Sequence, residues 1–337
     1  MKAVVKDRPG PGFVLSEVPK PRAESGTVVV QVKAVGICGT DIPIFEGVRP
    51  VPYPLIPGHE FAGIISEVGA GVEGWQVGER VAVGLVIGCG RCPYCRRGEE
   101  SLCDDIREIG IHVNGAYAEY VQVPWSCLHH LPDDLSFIHG ATVDALASSY
   151  RGLRRAAIGP EDRVVIFGPG AIGLYALQAI RARGAKQVIV VGRGSQRLAV
   201  ATALGADAVI NTHQEDPVEA VAHLTAGQMA TVVVEATGNP EVLSAVVGTA
   251  AKGAHVVLLG IFHHQTRFDP GPLVRRELRL EGSFCYNWTD YEASLQLIQR
   301  GLVRPDAVVT HVLPLMEMGH ALELLKQRQA IKIILEP

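Results

Sequence analysis

A chain of 337 residues is too long for one small core and is expected to form two domains. It is 47% hydrophobic and 20% charged, with a formal net charge of −4, so its electrostatics give no reason to expect nucleic acid or an anionic membrane surface as partner. No stretch approaches the roughly 18–20 apolar residues that cross a bilayer. The N-terminal MKAVVKDRPGPG also lacks the apolar run of a secretory signal, so a cytoplasmic location is expected.

Residues 1–145 carry short extended runs, TVVVQVKAV (27–35) and EFAGIISEVG (60–69), punctuated by Gly and Pro, which predicts a β-rich region with irregular loops. Two short motifs in it carry metal-binding chemistry. ICGTD (37–41) offers Cys38, and PGHEFAG (57–63) offers His59 and Glu60. A thiolate, an imidazole and a carboxylate can converge on one metal, and an open zinc site is what alcohol oxidation requires. A single Cys and a single His are more often packed core residues, so this pair gains weight only from what else the chain carries.

The stretch GCGRCPYCRRGEESLC (88–103) places Cys89, Cys92, Cys95 and Cys103 together, four of the seven cysteines in the chain. In a reducing compartment clustered cysteines favour metal over disulfide. The spacing C-x2-C-x2-C-x7-C can close a four-thiolate zinc site with no position left for water, which is a structural site. It does not fit a bacterial ferredoxin cluster, whose last gap is three residues followed by Pro. Nor does it fit a zinc ribbon with two pairs far apart. Cys127 and Cys285 have no partner at metal spacing and read as packed thiols.

Near residue 150 the character changes to strands alternating with helices. DRVVIFG (162–168), AIGLYALQAIRARG (171–184), KQVIVVG (186–192) and SQRLAVATALGA (195–206) are followed by DAVIN (207–211) and a helix near 216–226. TVVVEATG (231–238), a helical EVLSAVVGTAAKG (241–253) and the strand AHVVLLG (254–260) complete the pattern. Near-continuous Val/Ile runs separated by helices predict a parallel sheet covered on both faces. GPGAIG (168–173) matches G-x-G-x-x-G where it carries meaning, after a strand and opening a helix. Gly168 permits the turn, Gly170 the approach of a pyrophosphate, and Gly173 close helix packing, with Ala171 and Ile172 at the helix start.

At the end of the second strand, where an NAD enzyme usually carries Asp or Glu, stands Gly192, followed by Arg193, Ser195 and Arg197. Two guanidinium groups and a hydroxyl suit a 2′-phosphate, so NADP is expected over NAD. Thr237, closing the TVVVEATG run, joins the candidate cofactor-binding residues. His263, His264, Arg275 and Arg276 can meet a phosphate but read more simply as surface basic residues. Beyond 284, SLQLIQRG (294–301) and GHALELLKQ (319–327) are helical, and the strand-like AIKIILE (330–336) can pair back with the first region.

Cys38-Gly39-Thr40-Asp41, Gly58-His59-Glu60, the four-cysteine lobe and GPGAIG, in this order and spacing, resemble the zinc-containing medium-chain dehydrogenase/reductase family. The resemblance covers essentially the whole chain. It implies an α/β fold in which a GroES-like catalytic domain (1–148, zinc lobe 88–104) is interrupted by a Rossmann domain (149–284). The chain then returns (285–337), and the active site lies in the cleft between the domains. It implies two zinc ions per chain, with Cys38 and His59 as catalytic ligands and Glu60 a nearby carboxylate able to bind in some states. The third ligand is then Asp144, because HGATVDALASSY (139–150) resembles the family stretch in which a carboxylate precedes a helix. Thr40 resembles the hydroxyl that hydrogen-bonds the substrate oxygen.

Many members carry a relay His five positions after the ligand Cys, where this chain has Pro43. GSFCYN (282–287) and CGTDIPIF (38–45) resemble polyol-type members and the galactitol-1-phosphate branch. The expected activity is interconversion of a secondary alcohol, of polyol or sugar type, and its ketone with NADP(H). The alternatives are a threonine-type or simple alcohol dehydrogenase and a catalytically silent nucleotide-binding homologue. The resemblance implies a homodimer or homotetramer. A zinc-free quinone reductase is disfavoured by the presence of Cys38 and His59.

Overall fold

The structure, a computed structural model, describes residues 1–263 and 265–337; His264 lies outside the described residues. Two compact units emerge. One comprises Met1–Asp144, Tyr286–Gln299 and Val309–Pro337, the other Ala145–Cys285 with Arg300–Val308. Among the described residues no helix is long and apolar enough to cross a membrane.

The first unit is built on the strand Thr27–Gly36, whose β-branched run is buried on both faces over most of its length. It pairs antiparallel with Glu60–Val68, with Tyr120–Pro124 and, at its far end, with the C-terminal strand Lys332–Glu336. Beyond these, Arg80–Val83 and Leu128–His130 extend one side and Val309–Pro314 the other. The C-terminal strand is therefore interior to the sheet. Its Ile333 and Leu335 are fully buried, each contributing on the order of 1.5–3 kcal/mol.

Register sets the site. Gly36 pairs with Glu60 on one side and with Ile334 on the other. The loop that leaves Gly36 carries Cys38, the residue before Glu60 is His59, and Lys332 starts the C-terminal strand. Three strands thus deliver four chemically active side chains to one end of the sheet.

The second unit is a six-stranded parallel sheet in the spatial order Ala208–Asn211, Gln187–Gly192, Arg163–Phe167, Ala230–Glu235, Ala250–Leu258, Arg279–Gly282. This is the doubly wound dinucleotide-binding order, with the reversal at Arg163–Phe167. The helices Ala171–Ala182, Ser195–Ala203 and Pro217–Leu224 connect successive strands. Asp216 caps the last of these, its carboxylate accepting the N–H groups of Val218 and Glu219, with Pro217 in the first turn.

Two local differences from the sequence reading have clear causes. The helix expected over 241–253 ends at Gly248, and the strand already runs from Ala250. Gly253, in the left-handed region at φ +74°, sits within the register shift of that strand and lets it bulge before it rejoins its partner. A 19-residue helix also runs from Phe137 to Arg155, so Asp144 lies inside a helix and does not precede one.

Candidate metal centre and nucleotide loop

The ligand atoms of Cys38, His59 and Glu60 all lie within 4.8 Å of one another, with His59 and Glu60 buried. Cys38 opens the turn into the helix Asp41–Glu46. Its N–H donates to Asp41 Oδ2 at 2.8 Å, which fixes the turn from within. The other oxygen of this wholly buried carboxylate, Oδ1, lies 3.9 Å from His59 Nδ1. Among the described residues neither of those two atoms has a hydrogen-bond partner, and Thr40 Oγ1 is likewise buried without one. A buried ring nitrogen facing a buried carboxylate oxygen is the arrangement that orients a metal-ligating imidazole, leaving the opposite nitrogen for the ion.

Glu60 meets the ammonium of Lys332, which also donates to Ile37 O at 3.1 Å. A Cβ at Gly36 would lie 2.4 Å from Glu60 Oε2 and 2.9 Å from Lys332 Cε, so only glycine leaves room for this pair. Burial lowers the Lys332 ammonium to about 8, although the charges of Cys38 and Asp41 favour its charged form. Burial likewise pushes the Cys38 thiol up.

Asp144 is buried and accepts the Tyr286 hydroxyl, which itself accepts the Leu85 N–H at 3.0 Å. Desolvation raises the Asp144 carboxyl to about 6, while His59 and the Tyr286 hydroxyl favour its ionised form. Among the described residues, then, the ligand atoms that come together are those of Cys38, His59 and Glu60, with Asp144 held nearby by Tyr286. Lys332 and Tyr286 were not singled out from the sequence. They lie 272 positions from Glu60 and 142 from Asp144, and only the return of the C-terminal segment brings them in.

The four sulfurs of Cys89, Cys92, Cys95 and Cys103 also lie within 4.8 Å of one another. Backbone amides point at them: Cys89 N–H reaches Cys103 Sγ at 3.2 Å, and Cys92 N–H reaches Cys89 Sγ at 3.4 Å. Amides directed at its sulfur bring the Cys92 thiol down to about 6, whereas burial pushes the Cys95 thiol up to about 12. Cys127 lies apart, buried, donating weakly to Val86 O, with burial pushing its thiol to about 12.

In the second unit the glycine loop is sterically determined. Gly168 has φ +104°, and a Cβ on Gly173 would stand 1.9 Å from Gly168 O. At Gly170 a Cβ would meet nothing within 4 Å, so the backbone there is open to approach. A Cβ on Gly168 would meet Thr237 Cγ2 at 2.7 Å, which places Thr237 beside the loop, and its N–H and hydroxyl both donate to the buried Glu235. The absence of an acid at Gly192 also has a steric counterpart, because a Cβ there would lie 2.4 Å from Pro169 Cδ. Arg193 and Ser195 are exposed at the start of the helix Ser195–Ala203, with Arg197 one half-turn on. Of the remaining basic candidates, His263 and Arg275 are exposed, and Arg276 donates to Val247 O.

Comparison with known proteins shows the family. Residues 24–133 match the alcohol dehydrogenase GroES-like domain, and residues 171–300 match the zinc-binding dehydrogenase domain. A sorbitol dehydrogenase of Halalkalibacterium halodurans is 34% identical, over 100% of this chain and 99% of its own length. An L-threonine 3-dehydrogenase of Symbiobacterium thermophilum is 35% identical, over 100% and 98%. The crystal structure of the alcohol dehydrogenase RspB of Escherichia coli CFT073, complexed with NADH, superposes with a TM-score of 0.94. It has 30% identity and covers 100% of this chain and 99% of that one. Motifs, sheet order and relatives agree, and the chain belongs to the zinc-type medium-chain dehydrogenase family, whose members of this kind are oxidoreductases acting on alcohols.

Proposed function

We propose that the protein interconverts a secondary alcohol of polyol or sugar type and its ketone, using zinc and NADP(H). The observation that carries this reading is the meeting of Cys38, His59 and Glu60 in a chain that also bears the Gly168–Gly173 loop. The His59 nitrogen on the side away from Asp41 fits a metal, and Thr40 Oγ1, buried without a hydrogen-bond partner among the described residues, fits a substrate hydroxyl. When bound, zinc supplies a Lewis acid that eases loss of the alcohol proton, and NADP supplies the hydride acceptor.

Cys38 and His59 hold the ion, together with a carboxylate. Glu60 lies within reach, and Asp144 is the second carboxylate acting on His59. Asp41 orients the imidazole, and Lys332 pairs with Glu60. Thr40 takes the substrate proton. The Pro43 side chain can neither donate nor accept a proton, so the proton leaves Thr40 by a route other than a histidine at that position. Arg193, Ser195 and Arg197 receive the 2′-phosphate, and the open backbone at Gly170 the pyrophosphate. The four-cysteine lobe holds a second, structural zinc. The assembly is a homodimer or homotetramer, which sedimentation would read.

The test follows nicotinamide absorbance over simple secondary alcohols, free polyols, polyol phosphates and threonine, each with NADP and with NAD. Turnover confined to polyols or their phosphates with NADP is expected. The threonine-dehydrogenase relative supports a second reading, which turnover of threonine alone would establish. A preference for NAD, the cofactor form bound in the RspB crystal, would overturn the role given to the two arginines.

A further inference from the structure

Tyr117 lies outside every motif discussed so far, yet it is wholly buried against the metal centre. Its hydroxyl donates to Asp41 Oδ2 at 2.6 Å, the oxygen that also accepts Cys38 N–H. Its ring packs on Gly58, where a Cβ would stand 2.6 Å from Tyr117 Cδ1, so the turn immediately before His59 is moulded to this ring. The segment around it ties the same turn down. Tyr117 N–H donates to Pro57 O at 3.0 Å, Ala116 N–H to Gly58 O at 2.8 Å, and Asn114 Oδ1 accepts Ile56 N–H at 3.0 Å.

A carboxylate can rotate about its terminal torsion at little cost. Asp41 Oδ2 is fixed by two donors, one from the Cys38 turn and one from Tyr117, and this leaves Oδ1 facing His59 Nδ1. Burial and the Asp41 charge keep the phenol protonated, so it serves only as a donor.

We propose that Tyr117 is a positioning residue for the metal site, acting through Asp41 on the orientation of His59. The inference rests on reading Cys38, His59 and Glu60 as a zinc site. It goes beyond that reading by assigning part of the metal affinity to a hydroxyl that touches neither metal nor substrate. Partners one shell out from a metal ligand typically contribute 10- to 100-fold in affinity.

The experiment measures zinc affinity of the full chain by competition with a chromophoric chelator, for the wild type, Tyr117→Phe, Asp41→Asn and the double variant. Tyr117→Phe keeps the ring on Gly58 and removes only the hydroxyl. It is expected to weaken one of two zinc sites by about tenfold or more, with the four-cysteine zinc unaltered. Because Tyr117 acts through Asp41, the double variant should bind no more weakly than Asp41→Asn alone. Cobalt loaded into the same site reports the geometry directly, and its visible ligand-field bands should shift in Tyr117→Phe.

Wild-type affinity with an unshifted cobalt spectrum in Tyr117→Phe, or losses that simply multiply in the double variant, would overturn the role of Tyr117 alone. A wild-type chain that holds only the four-cysteine zinc would overturn the site reading and this inference together.

Discussion

Cys38 stands where the strand Thr27–Gly36 gives way to the turn before the helix Asp41–Glu46, within reach of His59 and Glu60. Cys38→Ser should abolish turnover and reduce bound zinc from about two to about one per chain. NADP affinity should stay within about twofold, since the nucleotide loop belongs to the other unit. Metal analysis and a fluorescence titration check this, and retained activity would remove Cys38 from the site. In the second unit the corresponding residue is Arg193. A charge-assisted bond to phosphate contributes about 1.5–3 kcal/mol, so Arg193→Ala should weaken NADP about 10- to 100-fold and leave NAD unaffected. Parallel titrations with both nucleotides decide it. Residues such as these were legible as candidates because their type and spacing suggest a chemistry. Asp41 and Tyr117 were not, because a buried carboxylate and a buried phenol announce nothing in a sequence until their partners are known.

Elements explain why the motifs sit where they do. The turn from Arg163–Phe167 into the helix Ala171–Ala182 is crowded at Gly168 and Gly173. Gly173→Ala forces a methyl into Gly168 O and should destabilise the unit by about 1–3 kcal/mol while lowering nucleotide affinity. A melting curve with and without nucleotide would read both effects. The four-cysteine lobe behaves differently, because its turns Cys95–Arg97 and Glu100–Leu102 have little apolar content to hold them. Cys103→Ser should release the ion and lower the melting temperature by several degrees, at about 2–4 °C per kcal/mol for a domain of this size. An unchanged melting curve would remove the structural role. Strand positions in the second unit were legible from their apolar runs. The early start of Ala250–Leu258 was not, because its first residues read as helix and only pairing with Ala230–Glu235 makes them strand.

At the scale of the whole molecule the C-terminal strand closes the first unit. Lys332–Glu336 lies between Thr27–Gly36 and Val309–Pro314, and it brings Lys332 to Glu60. A chain ending at Gln329 should lose an interior strand together with the counter-ion of Glu60. Its soluble yield should fall sharply, and any soluble protein should lack zinc at the Cys38 site. A soluble truncated chain with full zinc content would show that this strand is dispensable.

The sequence by itself determined the ligand types, the four-thiolate spacing, the nucleotide loop and the alternation that builds the parallel sheet. Each of these is a short-range pattern, and local sterics and periodicity dictate it. The tertiary structure alone decided which carboxylate meets Cys38 and His59, that Lys332 neutralises it, and that Tyr286 and Tyr117 hold Asp144 and Asp41. Those pairings depend on strand register and on the path of the returning chain. Burial strips water from these groups, so each relies on its protein partners.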